Sequence, residues 1–146
     1  MILDEPSEGL DPRGVEQLLE ALVAQCAEGT SVFFSSHQIE EVERISDQVC
    51  VIHRGHLAMD ASLDELRQSW RRVDAVLPGG AQPGDFAMQG VERVRTQGQQ
   101  MSVVASGNLD AIVARAREAG ASTIDVTPVG LREIFLQTID LERTGN

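Results

Sequence analysis

Apolar and polar residues fall in blocks whose period changes along the chain, and the changes mark the elements. Residues 1–3, Met-Ile-Leu, predict the end of a buried strand, and a polar turn over residues 4–10 follows. Asp11-Pro12 predicts a helix start, because an Asp side chain accepts from free N–H groups and proline suits the first helical position. Val15, Leu18, Leu19, Leu22, Val23 and Cys26 recur at helical spacing on one face, and Gly29 ends that helix. Residues 31–35 read as a short strand buried on both faces. Residues 38–45 read as a short polar helix with Glu40, Glu41 and Glu43 on a solvated face. Residues 48–53 and 56–59 predict a hairpin through Arg54-Gly55, where glycine supplies the positive φ of a tight turn. Ser62-Leu63-Asp64-Glu65 matches a capping box and opens a helix to about Arg72.

The second half changes character. Residues 78–84 form a Pro- and Gly-rich loop or linker. Around it, strands are predicted at 73–77, 91–96 and 101–105, the last two joined through Gly98. A helix follows Asn108, with Leu109, Ile112, Val113 and Ala116 on one face and Gly120 at its end. A strand at 122–127 and a final helix over 131–141 complete a β-β-β-α-β-α order, which suits a small α+β sandwich.

Composition narrows the classes. Among 146 residues, 42% are apolar and 24% charged, which is the balance of a folded chain rather than a disordered one. Twenty-three acidic against 12 basic residues give a net charge of -11, and every cation is Arg; there is no Lys. Counterion release needs clustered cations, so nucleic-acid binding is not expected, and Arg71-Arg72 with Arg93 and Arg95 are too few for a patch. No apolar run approaches the roughly 20 residues of a membrane span, so no direct membrane insertion is expected. Cys26 and Cys50 sit in apolar surroundings without metal spacing, and read as reduced core residues of a cytosolic protein. His53 and His56 lack a third ligand, and Trp70 reads as packing between the halves.

The candidate chemistry is in the first residues. An apolar strand ending in Asp4-Glu5 puts two carboxylates at the C-terminal edge of a sheet, where open α/β sheets bind ligands. Adjacent anions repel, and a cation such as Mg²⁺ would relieve them. Asp11 falls on the same rim, and Ser35-Ser36-His37 brings an imidazole there. That constellation suits metal-assisted chemistry on a phosphate. On these residues alone, the favoured reading is that Asp4 and Glu5 merely cap and solvate a strand end, since Asp-Glu pairs are common there.

The longer strings are more specific. Residues 2–12, ILDEPSEGLDP, closely resemble the Walker B segment and D-loop of ATP-binding cassette (ABC) transporter ATPases. Residues 33–37, FFSSH, resemble their H-loop strand and switch histidine, and residues 47–55 the hairpin that follows. Residues 62–66 resemble the next helix, and 131–136 the closing helix of the C-terminal extension on many bacterial export-type members. The resemblance is weak between 73 and 128. It implies an α/β fold, a partial P-loop NTPase sheet over residues 1–72, followed by a small α+β C-terminal domain over 73–146.

The resemblance also implies roles. Asp4 would help hold Mg²⁺ through its water shell, and Glu5 would polarise the water attacking the γ-phosphate. His37 would contact that phosphate. Ser7, Gly9, Leu10 and Asp11 would form the D-loop facing a partner subunit across bound ATP. ATP and Mg²⁺ would belong to the complete subunit, which would work at the cytoplasmic side of the inner membrane with a membrane permease subunit. The G-x-x-x-x-G-K-[ST] phosphate cradle needs a Lys, and the signature motif and glutamine loop are also missing from this sequence. The chain alone is therefore expected to bind neither cofactor and to be inactive, and its uncovered apolar strands predict a homodimer. An oligomerising or regulatory module, or a remnant without function, are the alternatives.

Overall fold

A computed structural model describes residues 1–80 and 82–144, with side chains described through residue 140. Contacts divide it into two compact units, Met1–Asp47 and Gln48–Asn146. That division differs from the motif-based partition at 72, since the last helix of the chain packs against the hairpin that begins at residue 48.

The first unit is a β-α-β-α segment. Strand β1 (Ile2–Asp4) pairs in parallel with β2 (Phe33–Ser35), Asp4 opposite Ser35, so both strands end on one edge. Helix α1 (Pro12–Ala27) connects them, capped by Asp11, whose Oδ1 accepts from the Gly14 N–H at 2.7 Å. Helix α2 (Ile39–Ile45) follows β2.

Several expectations change here. β1 and β2 form a two-stranded sheet, so each is an edge and neither is buried: Ile2 is 83% and Phe33 62% exposed. Of the apolar face of α1, Leu19 and Leu22 are buried while Val23 is half exposed beside a groove shared with α2. Cys26 is exposed and free rather than in the core, because it lies beyond the covered part of α1.

In the second unit, β3 (Gln48–His53) and β4 (His56–Ser62) form the expected hairpin, with Arg54 and Gly55 both at positive φ in the turn. Val49 and Val51 point inward, so Cys50 between them points out; it too is exposed and free. Helix α3 (Leu63–Ser69) has the predicted capping box: Ser62 accepts from the Glu65 N–H while the Glu65 carboxylate accepts from the Ser62 N–H. It stops short of Arg72, because buried Trp70 is extended and β5 (Arg71–Val76) begins at once.

β5 joins β6 (Val91–Gln97), β7 (Gln100–Ala105) and β8 (Thr123–Pro128) in an antiparallel sheet of order β6-β7-β5-β8. Helix α4 (Leu109–Glu118) contributes Ile112 and Ala116 to a core with Val73, Ala75, Leu77, Met101, Val103 and Ala105. The expected loop at 78–84 runs into a short 3-10 turn, Pro83–Phe86, that delivers fully buried Phe86 to the same core. Helix α5 (Leu131–Thr144) packs against β4 and ties Glu133 to Arg72.

Candidate functional site

The C-terminal ends of β1 and β2 lie side by side, and the parallel pairing brings the residues just beyond each strand to the same edge. Asp4 is the last residue of β1. It is exposed, and its Oδ1 accepts from the Ser35 hydroxyl at 2.5 Å. The chain then turns sharply: Glu5 has φ 44°, in the left-handed region that an L residue enters only with outside support. That support is its N–H, which donates to the Ser35 carbonyl at 3.2 Å and lies 3.1 Å from the Ser35 hydroxyl. Ser35 therefore holds the Asp4 carboxylate and the Glu5 backbone together.

The turn at Glu5 aims its carboxylate across to the end of β2. Glu5 Oε2 is 2.8 Å from His37 Nδ1 and accepts from the His37 N–H at 3.3 Å. The Glu5 side chain is 30% and the His37 side chain 65% exposed, so this is a pair on an open rim. Ser36 holds the bend by accepting from the Gln38 N–H.

Past Glu5 the loop closes on itself. The Glu8 N–H donates to the Glu5 carbonyl and the Leu10 N–H to the Ser7 carbonyl, with Gly9 at φ 78°. Leu10 is exposed and Asp11 is occupied as the cap of α1. Ser7 is the buried member of the loop, and its hydroxyl donates to Glu41 Oε2 at 2.6 Å. Glu41, which the sequence places on a solvated face, is instead half-buried against the loop. Only its place one helical turn beyond His37 could have pointed to it.

Arg44, on the next turn of α2, forms a two-pronged pair with Glu16 of α1 at 2.7 Å on each side. The Arg44 hydrogen bond holds the Glu16 carboxyl below its ordinary range, and Glu16 in turn holds the guanidinium above its own.

The sequence-predicted residues thus divide. Asp4, Glu5 and His37 meet at one strand edge, whereas Ser7, Gly9, Leu10 and Asp11 form the adjacent loop, Ser7 facing inward and Leu10 outward. Among the described residues no group of three or more His, Cys, Asp or Glu is gathered as a direct metal cage. The donor set at Asp4 is instead an exposed carboxylate with one oxygen bound to Ser35, which suits a hard cation that keeps its waters. Among the described residues, the rim presents acids and one imidazole, without a cationic cradle for a polyanion.

No family model matches the chain. Among curated proteins it is 28% identical over 152 aligned positions to the daunorubicin resistance ATP-binding protein DrrA3 of Streptomyces coeruleorubidus, covering 100% of this chain and 48% of that protein. It is 26% identical over 140 positions to the Nod factor export ATP-binding protein I of Neorhizobium galegae, covering 94% and 40%. Against the bacitracin transport ATP-binding protein BcrA of Enterococcus faecalis the identity is 41% over 73 positions, covering 49% and 24%. The chain spans less than half the length of these relatives.

Proposed function

We propose, from the kinship of this chain with the ABC transporter ATP-binding proteins, that it is the C-terminal portion of the ATP-hydrolysing subunit of an export-type transporter. The observation that carries this reading is the Glu5–His37 pair at the joined ends of two parallel strands, 2.8 Å apart. Glu5 is the general base: its carboxylate, at the joined ends of β1 and β2, takes the proton of a water that attacks the terminal phosphate. His37 holds that carboxylate through Nδ1, and its exposed ring would contact the phosphate. Asp4 would hold Mg²⁺ through water, and the ion would neutralise charge on the phosphate oxygens.

Ser7, Gly9, Leu10 and Asp11 form the loop that meets a second subunit across the nucleotide. Residues 1–72 carry this ATPase portion and 73–146 an appended α+β domain. The partner in the assembled transporter is a membrane permease, with this subunit peripheral on the cytoplasmic side; among the described residues no helix is long and apolar enough to cross a membrane. The exposed Ile2 and Phe33 on two open strand edges support self-association as a homodimer.

The test is a complete subunit, this chain joined to a phosphate-loop half of the same family. Glu5→Gln in that subunit is expected to lower turnover by about 10²–10⁴ while nucleotide binding persists. Hydrolysis at the parent rate would remove Glu5 as the base.

A further inference from the structure

Two side-chain links join the same two segments of the first unit. Glu5 meets His37 at 2.8 Å, and Ser7, two residues further along one segment, meets Glu41, four residues further along the other, at 2.6 Å. They differ in setting. The first lies on an open rim, where an exposed side-chain pair by itself orients its members weakly. The second has its donor buried and a carboxylate acceptor half-buried, and charge-assisted hydrogen bonds of that kind are short and strong. Between Glu5 and Ser7 there is only Pro6, and the Glu8 N–H closes the turn back onto the Glu5 carbonyl. A shift at Ser7 is therefore passed to Glu5. On the other side, Glu41 sits on the first turn of α2, so a shift of that helix moves His37. The Arg44 guanidinium, clamped to Glu16 of α1, also attracts Glu41.

We propose that Glu41 is a positioning residue which, through its hydrogen bond from Ser7, sets the separation of Glu5 and His37. The proposal rests on the reading of Glu5 and His37 as the reacting pair, but its test reads their geometry rather than turnover. The probe is the ring nitrogen signal of His37 in the ¹⁵N-labelled chain, with Glu5→Gln marking the position of an imidazole that has lost its carboxylate. Glu41→Ala and Ser7→Ala are expected to move the Nδ1 signal to that position. Glu41→Gln, whose amide oxygen still accepts from Ser7, is expected to keep the parent signal. Backbone amide spectra establish that each variant is folded, and Ser7→Ala, which removes one oxygen, carries the test if Glu41→Ala unfolds.

Parent-like Nδ1 signals in Glu41→Ala and Ser7→Ala would overturn the proposal while leaving the Glu5–His37 pair intact. Loss of the signal in Glu41→Gln would overturn the hydrogen bond as its basis. An Nδ1 signal that Glu5→Gln does not move would overturn the pair itself, and the proposal with it. In the complete subunit, Glu41→Ala is expected to lower kcat at unchanged KM for ATP, about 10-fold or more, since a displacement near 1 Å can cost 10²-fold.

Discussion

Asp11 shows how much of one side chain is legible from its neighbours. An Asp before Pro, followed by helical spacing, predicts a cap, and its Oδ1 accepts from the Gly14 N–H as the pattern requires. Asp11→Ala should therefore cost about 1 kcal/mol of stability, read as a lower denaturation midpoint in urea with unchanged slope. Glu65 is similarly legible, and it carries a pH dependence. The Ser62 hydroxyl and N–H hold its carboxyl below the ordinary value of 4.5. Its folded value being depressed, the stability it adds is present above the unfolded value and is lost as pH falls through the folded one. Melting temperature should fall on acidification below about pH 4.5, and Glu65→Gln should make that fall shallower. Glu41 was not legible, because a charged residue beside two other acids fits a wet helix face equally well. Only the fold brings Ser7 against it.

Elements defined by period and punctuation are found close to where the sequence places them, though α3 ends at Ser69, but their surroundings are not. The β3–β4 hairpin, the Ser62 cap and the order of strands and helices after residue 70 follow from alternation and turn residues. Residues 78–84 read as linker, yet their end opens a 3-10 turn that buries Phe86 completely under the four-stranded sheet. One aromatic residue among Gly, Pro, Ala and Asp gives no periodic signal. Phe86→Ala should remove about 3–5 kcal/mol, measured by chemical denaturation, which would make it among the costliest single truncations in this unit. If the midpoint moved by less than a surface substitution does, Phe86 would not be part of the core. The strands β1 and β2 fail in the opposite direction. Apolar residues predict burial, whereas a sheet of two strands leaves Ile2 and Phe33 in water.

For the molecule as a whole, charge sets the expectations. A net charge of -11 with no Lys, and a rim of Asp4, Glu5 and one imidazole, oppose a polyanion. The chain alone should bind MgATP more weakly than about 100 μM, equivalent to roughly 5.5 kcal/mol, by calorimetry. Tighter binding would mean that the phosphate loop is dispensable. Open apolar edges should make the chain a dimer in sedimentation at micromolar concentration. Phe33→Lys should return it to monomer, as a charge on an edge strand blocks pairing. A monomeric parent would remove the homodimer.

What the sequence by itself determined is local. Caps, tight turns and periods act over a few residues, and the strings at 2–12 and 33–37 are specific enough to indicate the ABC ATPases whose kinship the relatives bear out. Tertiary structure alone decided which carboxylate meets which donor. Glu5 and His37 stand 32 residues apart and Ser7 and Glu41 stand 34 apart. Their distances depend on the parallel register of β1 with β2 and on a strained turn at Glu5. Pairing across such separations is set by packing of the intervening helix, which leaves no mark on the spacing of the residues it joins.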